Sequence, residues 1–168
     1  MQAIKISIYL LAFVLSNYVV LWFGKTGLIF TALFLIPFDF VMRCIFHETW
    51  KGKELVLKLG ALVSVASLIT IFINRDAEAI AIASATSFFF AQAGAGLIYQ
   101  LTINKSYLIK VNGSDAVGIL IDSILFQLIA FNSIDYSITA GQFTLKIIGG
   151  ILWYWLLFHK FKIQKKLL

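Results

Sequence analysis

The sequence predicts an all-α integral membrane protein: one domain, residues 1–168, made of six transmembrane helices in a bundle with both termini cytoplasmic. Three observations predict it. Of the 168 residues, 61% are hydrophobic and only 13% charged, with a single proline, and the mean hydropathy is +0.93. A soluble fold needs polar residues recurring along every element to cover its outside, whereas here apolar runs of roughly 18 to 23 residues follow one another. The lysines collect between those runs, more of them in alternate connections.

About 20 apolar residues cross the hydrocarbon core, and on that measure the spans read 4–22, 28–46, 55–73, 77–99, 116–134 and 142–158. The first ends in NYVVLWFGK without a small-residue cleavage site, so it is read as a retained helix and not a signal peptide. The connections are short: GKTG, HETWKGKE, NRDAE, the longer TINKSYLIKVNGSD, and DYSITAG. They leave no room for a soluble catalytic or DNA-binding domain, so function is expected within the bundle.

Positive charge orients the chain. With the N-terminus inside, cytoplasmic segments carry Lys5, then Lys51, Lys53 and Lys58, then Lys105 and Lys110, and last the tail HKFKIQKKLL; the other side has only Lys25 and Arg75. An even number of spans and two cytoplasmic ends agree. The net charge of +6 is thereby explained by topology, and no nucleic-acid partner is expected. Trp22, Trp50, Trp153, Trp155, Tyr99, Tyr136 and Tyr154 fall near span ends and read as interfacial anchors. Cys44 is the one cysteine, and no Cys/His cluster has metal-ligand spacing, so neither disulfide, metal nor cofactor is expected. An enzyme is not expected either, because no nucleophile and base, metal cluster or paired carboxylates stand at workable spacing.

What remains is a handful of polar residues inside the spans. An ionised side chain at the centre of a membrane helix costs on the order of 3 kcal/mol, so each needs a partner or a task. In the second span Asp39 and Arg43 are four apart and can pair on one helix face, while Pro37 removes a backbone donor and can bend the helix beside them. A pair that pins helices and a pair that serves a binding site both fit. In the fourth span Ala79, Ala83, Ser87, Ala91 and Ala95 recur every four residues, a small-residue stripe on which another helix can pack closely. Gln92 lies beside it, suited to an interhelical hydrogen bond or to a ligand. Phe88, Phe89 and Phe90 are consecutive, so at least one must face lipid.

The fifth span holds the acid that asks most for an explanation. Asp115 and Asp122 are two turns apart, with Gly118 and Phe126 one turn either side of Asp122. Asp115, following NGS, reads as a residue of the helix start. Asp122 is central in an apolar run, AVGILIDSILFQLIAF, and has no such place.

The strings IPFDFVMRCIFHETWKGK, AIAIASATSFFFAQ and NGSDAVGILIDSILFQLIAF resemble the queuosine-precursor transporter family, also called the VUT family, small six-helix inner-membrane proteins. The sharpest part combines Ala83, Ser84 and residues 88–92 with Gly118, Asp122, Ser123, Phe126, Ala130 and Phe131. This chain is shorter than the family pattern and reads AGAGLIY where many members carry a second acid. The resemblance implies uptake of 7-cyano-7-deazaguanine, or its aminomethyl relative, across the bacterial cytoplasmic membrane. Such a planar heterocycle presents a ring N–H and an exocyclic amine side by side, which one carboxylate, Asp122, can accept together. Gln92 then suits the ring carbonyl and Phe126 the flat face; Ser87 and Ser123 complete the expected contacts, and Asp39 and Arg43 bind solute or act as a gate. Two other readings stay open: the substrate-binding subunit of an energy-coupling-factor vitamin transporter, and a structural or pore-forming membrane protein. The sequence is compatible with a monomer or a homo-oligomer.

Overall fold

The computed structural model describes residues 2–50, 53–102, 104–105 and 107–156; the side chains at 40, 43–45, 47–49, 53, 55, 107–112 and 154 lie outside that description. The described chain is helical nearly throughout: α1 (Gln2–Leu33), α2 (Leu35–Thr49), α3 (Lys53–Ile73), a 3-10 turn (Arg75–Ala77), α4 (Glu78–Leu101), α5 (Tyr107–Phe131) and α6 (Tyr136–Trp155). Four stretches, Gln2–Leu33, Val56–Ile73, Arg75–Leu101 and Gly113–Phe131, are long and apolar enough to cross a membrane. The chain is therefore an all-helical, multi-pass membrane protein.

The first two predicted spans meet at Gly24, whose φ of 55° and ψ of −133° break the regular course of α1. A side chain is strained in that region, which is why glycine stands there. The chain folds back sharply enough that a Cβ on Gly27 would lie 3.0 Å from the carbonyl carbon of Val19 and 3.1 Å from the Cα of Val20. GKTG is thus the turn expected of it.

The second predicted span is not one helix. It is interrupted at Phe34, between the far limb of α1 and α2, three residues before the buried Pro37. Proline cannot donate to the carbonyl four residues back, here Leu33, and the helix gives way at that point. Trp153 of α6 donates its indole N–H to the carbonyl oxygen of Phe34 at 2.7 Å. Trp153 is therefore tied into the break, and Trp50 is 4% exposed and stacked on Phe46 at 4.6 Å, so neither is the simple interfacial anchor expected. Trp22, Tyr136 and Trp155 are exposed, as anchors should be.

The α3–α4 connection follows the expected NRDAE, with Asn74 capping the 3-10 turn by accepting the Asp76 N–H at 2.9 Å. The last two connections need correction. Residues 107–115, read as loop, are the first turns of α5, so Asp115 lies within the helix and not at its start. NGS interrupts hydrophobicity there without interrupting the backbone. At the other end α5 stops at Phe131 because Asn132 takes a left-handed φ of 50°. Asp135 then caps α6, its carboxylate accepting the N–H groups of Ser137 and Ile138. DYSITAG, read as a connection, is the cap and first turns of that helix.

Packing follows the small residues. The stripe on α4 meets α5: a Cβ on Gly118 would sit 3.3 Å from the Cβ of Ala95 and 3.4 Å from the carbonyl oxygen of Ala91. Close backbone approach of this kind replaces the hydrophobic drive that helices lack in lipid. Of the three phenylalanines, Phe88 is buried and Phe89 and Phe90 are exposed. One apolar cluster joins α1, α2, α3 and α4 around Tyr9, Phe46, Val63 and Phe88; a second joins α1, α4 and α5 around Leu28, Ala83 and Phe126.

Candidate functional site

Three helices bring the central polar residues together. Ser87 comes from the α4 stripe, Asp122 and Ser123 from the middle of α5, and Lys146 from the middle of α6. The α5–α6 turn is held by Gln127, whose side chain donates to Thr139 Oγ1 at 2.8 Å and accepts the Asp135 N–H at 3.1 Å. With the turn so fixed, α6 returns alongside α5 and presents Lys146 to Asp122.

The Lys146 ammonium donates to Asp122 Oδ2 at 2.7 Å and to Ser123 Oγ at 2.8 Å. Ser87 donates its hydroxyl to the other carboxylate oxygen, Oδ1, at 2.9 Å. The lysine side chain is 0% exposed and that of the aspartate 20%. The geometry answers why an acid stands in the middle of an apolar helix: its charge is met by a buried lysine 24 residues on, and both oxygens are hydrogen-bonded. In a low-dielectric interior such a pair persists only with this degree of satisfaction.

The pair borders a cavity of about 720 Å³ lined from α1, α2, α4, α5 and α6. That volume falls within the range of small-molecule sites, roughly 300–1,000 Å³. Most of its wall is apolar, including Phe13, Leu28, Phe88, Ile119 and Phe126, with a few polar side chains converging on it. Asn17 is among them, tied to Thr70 Oγ1 at 3.3 Å and accepting from Ser84 at 2.6 Å.

Of the residues named from sequence, Asp39, Ser87, Gln92, Asp122 and Phe126 all line this one cavity. Asp39 is 7% exposed, so it faces inward from α2 just beyond the helix break. Gln92 is exposed and makes no hydrogen bond with the described residues, so the interhelical bond considered for it does not form there. Phe126 is 9% exposed, with its ring edge-on to Phe131 at 6.3 Å, and belongs to the second apolar cluster while touching the cavity. Ser123 is fully buried and meets the cavity only through Lys146, its own hydroxyl donating to the carbonyl of Ile119 at 2.8 Å. The side chain of Arg43, and with it the Asp39–Arg43 pair, lies outside the described residues.

Sequence reasoning missed Lys146 and Gln142. Both lie within the sixth predicted span, which was read for its length alone. A lysine between apolar neighbours in LKIIGG was signal enough, since any ionisable residue within a span needs a partner.

The fold and this cavity define a class: a multi-pass helical membrane protein with a cavity of small-molecule size and a charged pair in its wall. Comparison with known proteins adds no narrower name: no protein family, no curated protein and no solved structure matches the chain.

Proposed function

We propose that this protein is a transporter that carries a flat, donor-rich heterocycle across the bacterial cytoplasmic membrane, with a queuosine precursor, 7-cyano-7-deazaguanine or its aminomethyl relative, as the substrate. The observation that carries the reading is the Asp122–Lys146 pair placed in the wall of a solute-sized cavity. An ion pair needed only for packing can be sealed between helices; this one leaves the carboxylate 20% exposed beside the chamber. A carboxylate is acceptor-only and can take a ring N–H and an exocyclic amine side by side, which matches the donor edge of such a heterocycle to Asp122. Phe126 and Phe88 supply apolar surface for a ring, and the chamber has room for a bicyclic solute together with water.

The broken second crossing supports the same reading. Transporters place discontinuous helices beside their sites, because irregular backbone at membrane depth is tolerated where it lines a cavity. Leu35, Ile36 and Asp39, just past the break, line the chamber. On this reading the two limbs of α1, the second continued by α2, together with α3 to α6 make six crossings. Both termini then lie on the lysine-rich, cytoplasmic side. The protein binds and moves its solute without transforming it.

The test is accumulation of labelled 7-cyano-7-deazaguanine in cells that cannot make it, with wild type and Asp122→Asn at equal membrane expression. Wild type should restore uptake and the variant should lose it by about 10- to 100-fold, the worth of a hydrogen bond to a charged group. No uptake by wild type would sink the substrate assignment. Unselective flux of unrelated solutes would point to a pore instead.

A further inference from the structure

Among the described residues Gln142 is a buried amide that its surroundings leave without a partner for its N–H, as the indole N–H of Trp50 also is. Gln142 is 1% exposed, and its Nε2 has no acceptor among the described residues. The other buried amides are matched. Asn17 donates to Thr70 and accepts from Ser84, and Gln127 donates to Thr139 and accepts from the Asp135 backbone. A buried donor without an acceptor is costly to keep, more so where lipid replaces water outside. Gln142 also lines the cavity, and it stands four residues before Lys146 on α6, hence one turn away on the same face. Gln142 therefore stands in the chamber wall beside the carboxylate that Lys146 holds, its amide N–H buried there without an acceptor among the described residues.

We infer that Gln142 is a specificity-determining residue that donates its side-chain N–H to a carbonyl oxygen of the bound solute. The inference rests on the reading of the cavity as a solute site and narrows the ligand class. A solute that places N–H donors on Asp122 and a ring carbonyl next to them satisfies both groups at once, whereas a ring bearing an amine in place of that carbonyl sets donor against donor. The site thus selects oxo-heterocycles, of the guanine kind, over amino-heterocycles of the adenine kind. The sequence reading gave the ring carbonyl to Gln92, but Gln92 is exposed and free to turn away, while Gln142 is fixed in the wall with its donor unspent.

Two probes separate this role from mere packing: 7-cyano-7-deazaguanine and its 6-thio analogue, which keeps the donor edge and exchanges the carbonyl for a weak acceptor. Binding of each is measured to the full chain in lipid nanodiscs, for wild type, Gln142→Leu and Gln142→Met. Wild type should prefer the oxo probe about tenfold, the scale of one net hydrogen bond. Both variants should bind the two probes alike, at the level wild type shows for the thio probe, whose retained binding demonstrates an intact fold. A preference that survives in the variants overturns the role of Gln142 while leaving the solute site standing, and loss of both probes in both variants overturns it as well. Wild type binding neither probe overturns the substrate class and this inference with it.

Discussion

Lys146→Met is expected to destabilise the protein by about 3–5 kcal/mol, because it strips the countercharge from Asp122 without moving the acid out of the interior. The ammonium meets both Asp122 and Ser123, at 2.7 and 2.8 Å, and its side chain is fully buried, so water has little access to replace it. The double variant Asp122→Asn/Lys146→Met should recover most of that loss. A buried pair exchanged as a unit for neutral residues is often neutral or even stabilising, and Ser87 can still donate to the asparagine oxygen. Thermal unfolding in detergent of the wild type, both single variants and the double variant measures the coupling. If Lys146→Met unfolds at the wild-type temperature, the ion pair does not exist in the folded protein.

Gly149→Val should be nearly as damaging, for a reason of shape and not of charge. A Cβ at Gly149 would fall 2.6 Å from Pro37 Cγ and 3.0 Å from Pro37 Cβ, and closer still to the carbonyl oxygen of Leu33. These are the rigid atoms of the helix break, a proline ring and a backbone carbonyl, which cannot turn aside. Overpacking of this kind costs typically about 1–3 kcal/mol, and more where backbone must shift. Gly94→Ala is the control: its Cβ would collide with Ile121 Cδ1, the far end of a flexible side chain that has other rotamers. The fraction of monodisperse protein extracted from membranes should fall sharply for Gly149→Val and little for Gly94→Ala. Equal yields would mean that α6 does not pack on the break.

The contrast between what was legible in the sequence and what was not follows the range of each interaction. Hydropathy over a window of residues reports a helix, and a glycine or an asparagine reports its own turn, so the first limb of α1, α3, α4 and the turns at Gly24 and Asn74 stand close to where the sequence puts them. The α4 stripe was legible because close approach needs small residues at helical spacing, and Ala91 and Ala95 do meet Gly118. Asp122 was conspicuous because it is alone in an apolar run. Its partner was not, since nothing periodic links residues 122 and 146; only the turn built by Gln127, Asn132 and Asp135 brings them together. The cap at Asp135 had a local signal, an acid just before an apolar run, and its neglect cost α6 its first turns. Loss of hydrophobicity at NGS was mistaken for loss of helix, and so Asp115 was misplaced. Gln142 was passed over because a glutamine near the expected end of a span looks like a boundary until its burial is seen.

The charged pair in the cavity wall either serves a solute or only holds α5 to α6. The most direct measurement is equilibrium binding of labelled 7-cyano-7-deazaguanine to purified protein in nanodiscs, comparing wild type with the folded double variant Asp122→Asn/Lys146→Met, in which stability is restored and only the charges are gone. Wild type is expected to bind saturably, and the double variant about 10- to 100-fold more weakly. Equal binding by the two proteins would contradict a role in solute binding and reduce the pair to a device that holds α5 to α6.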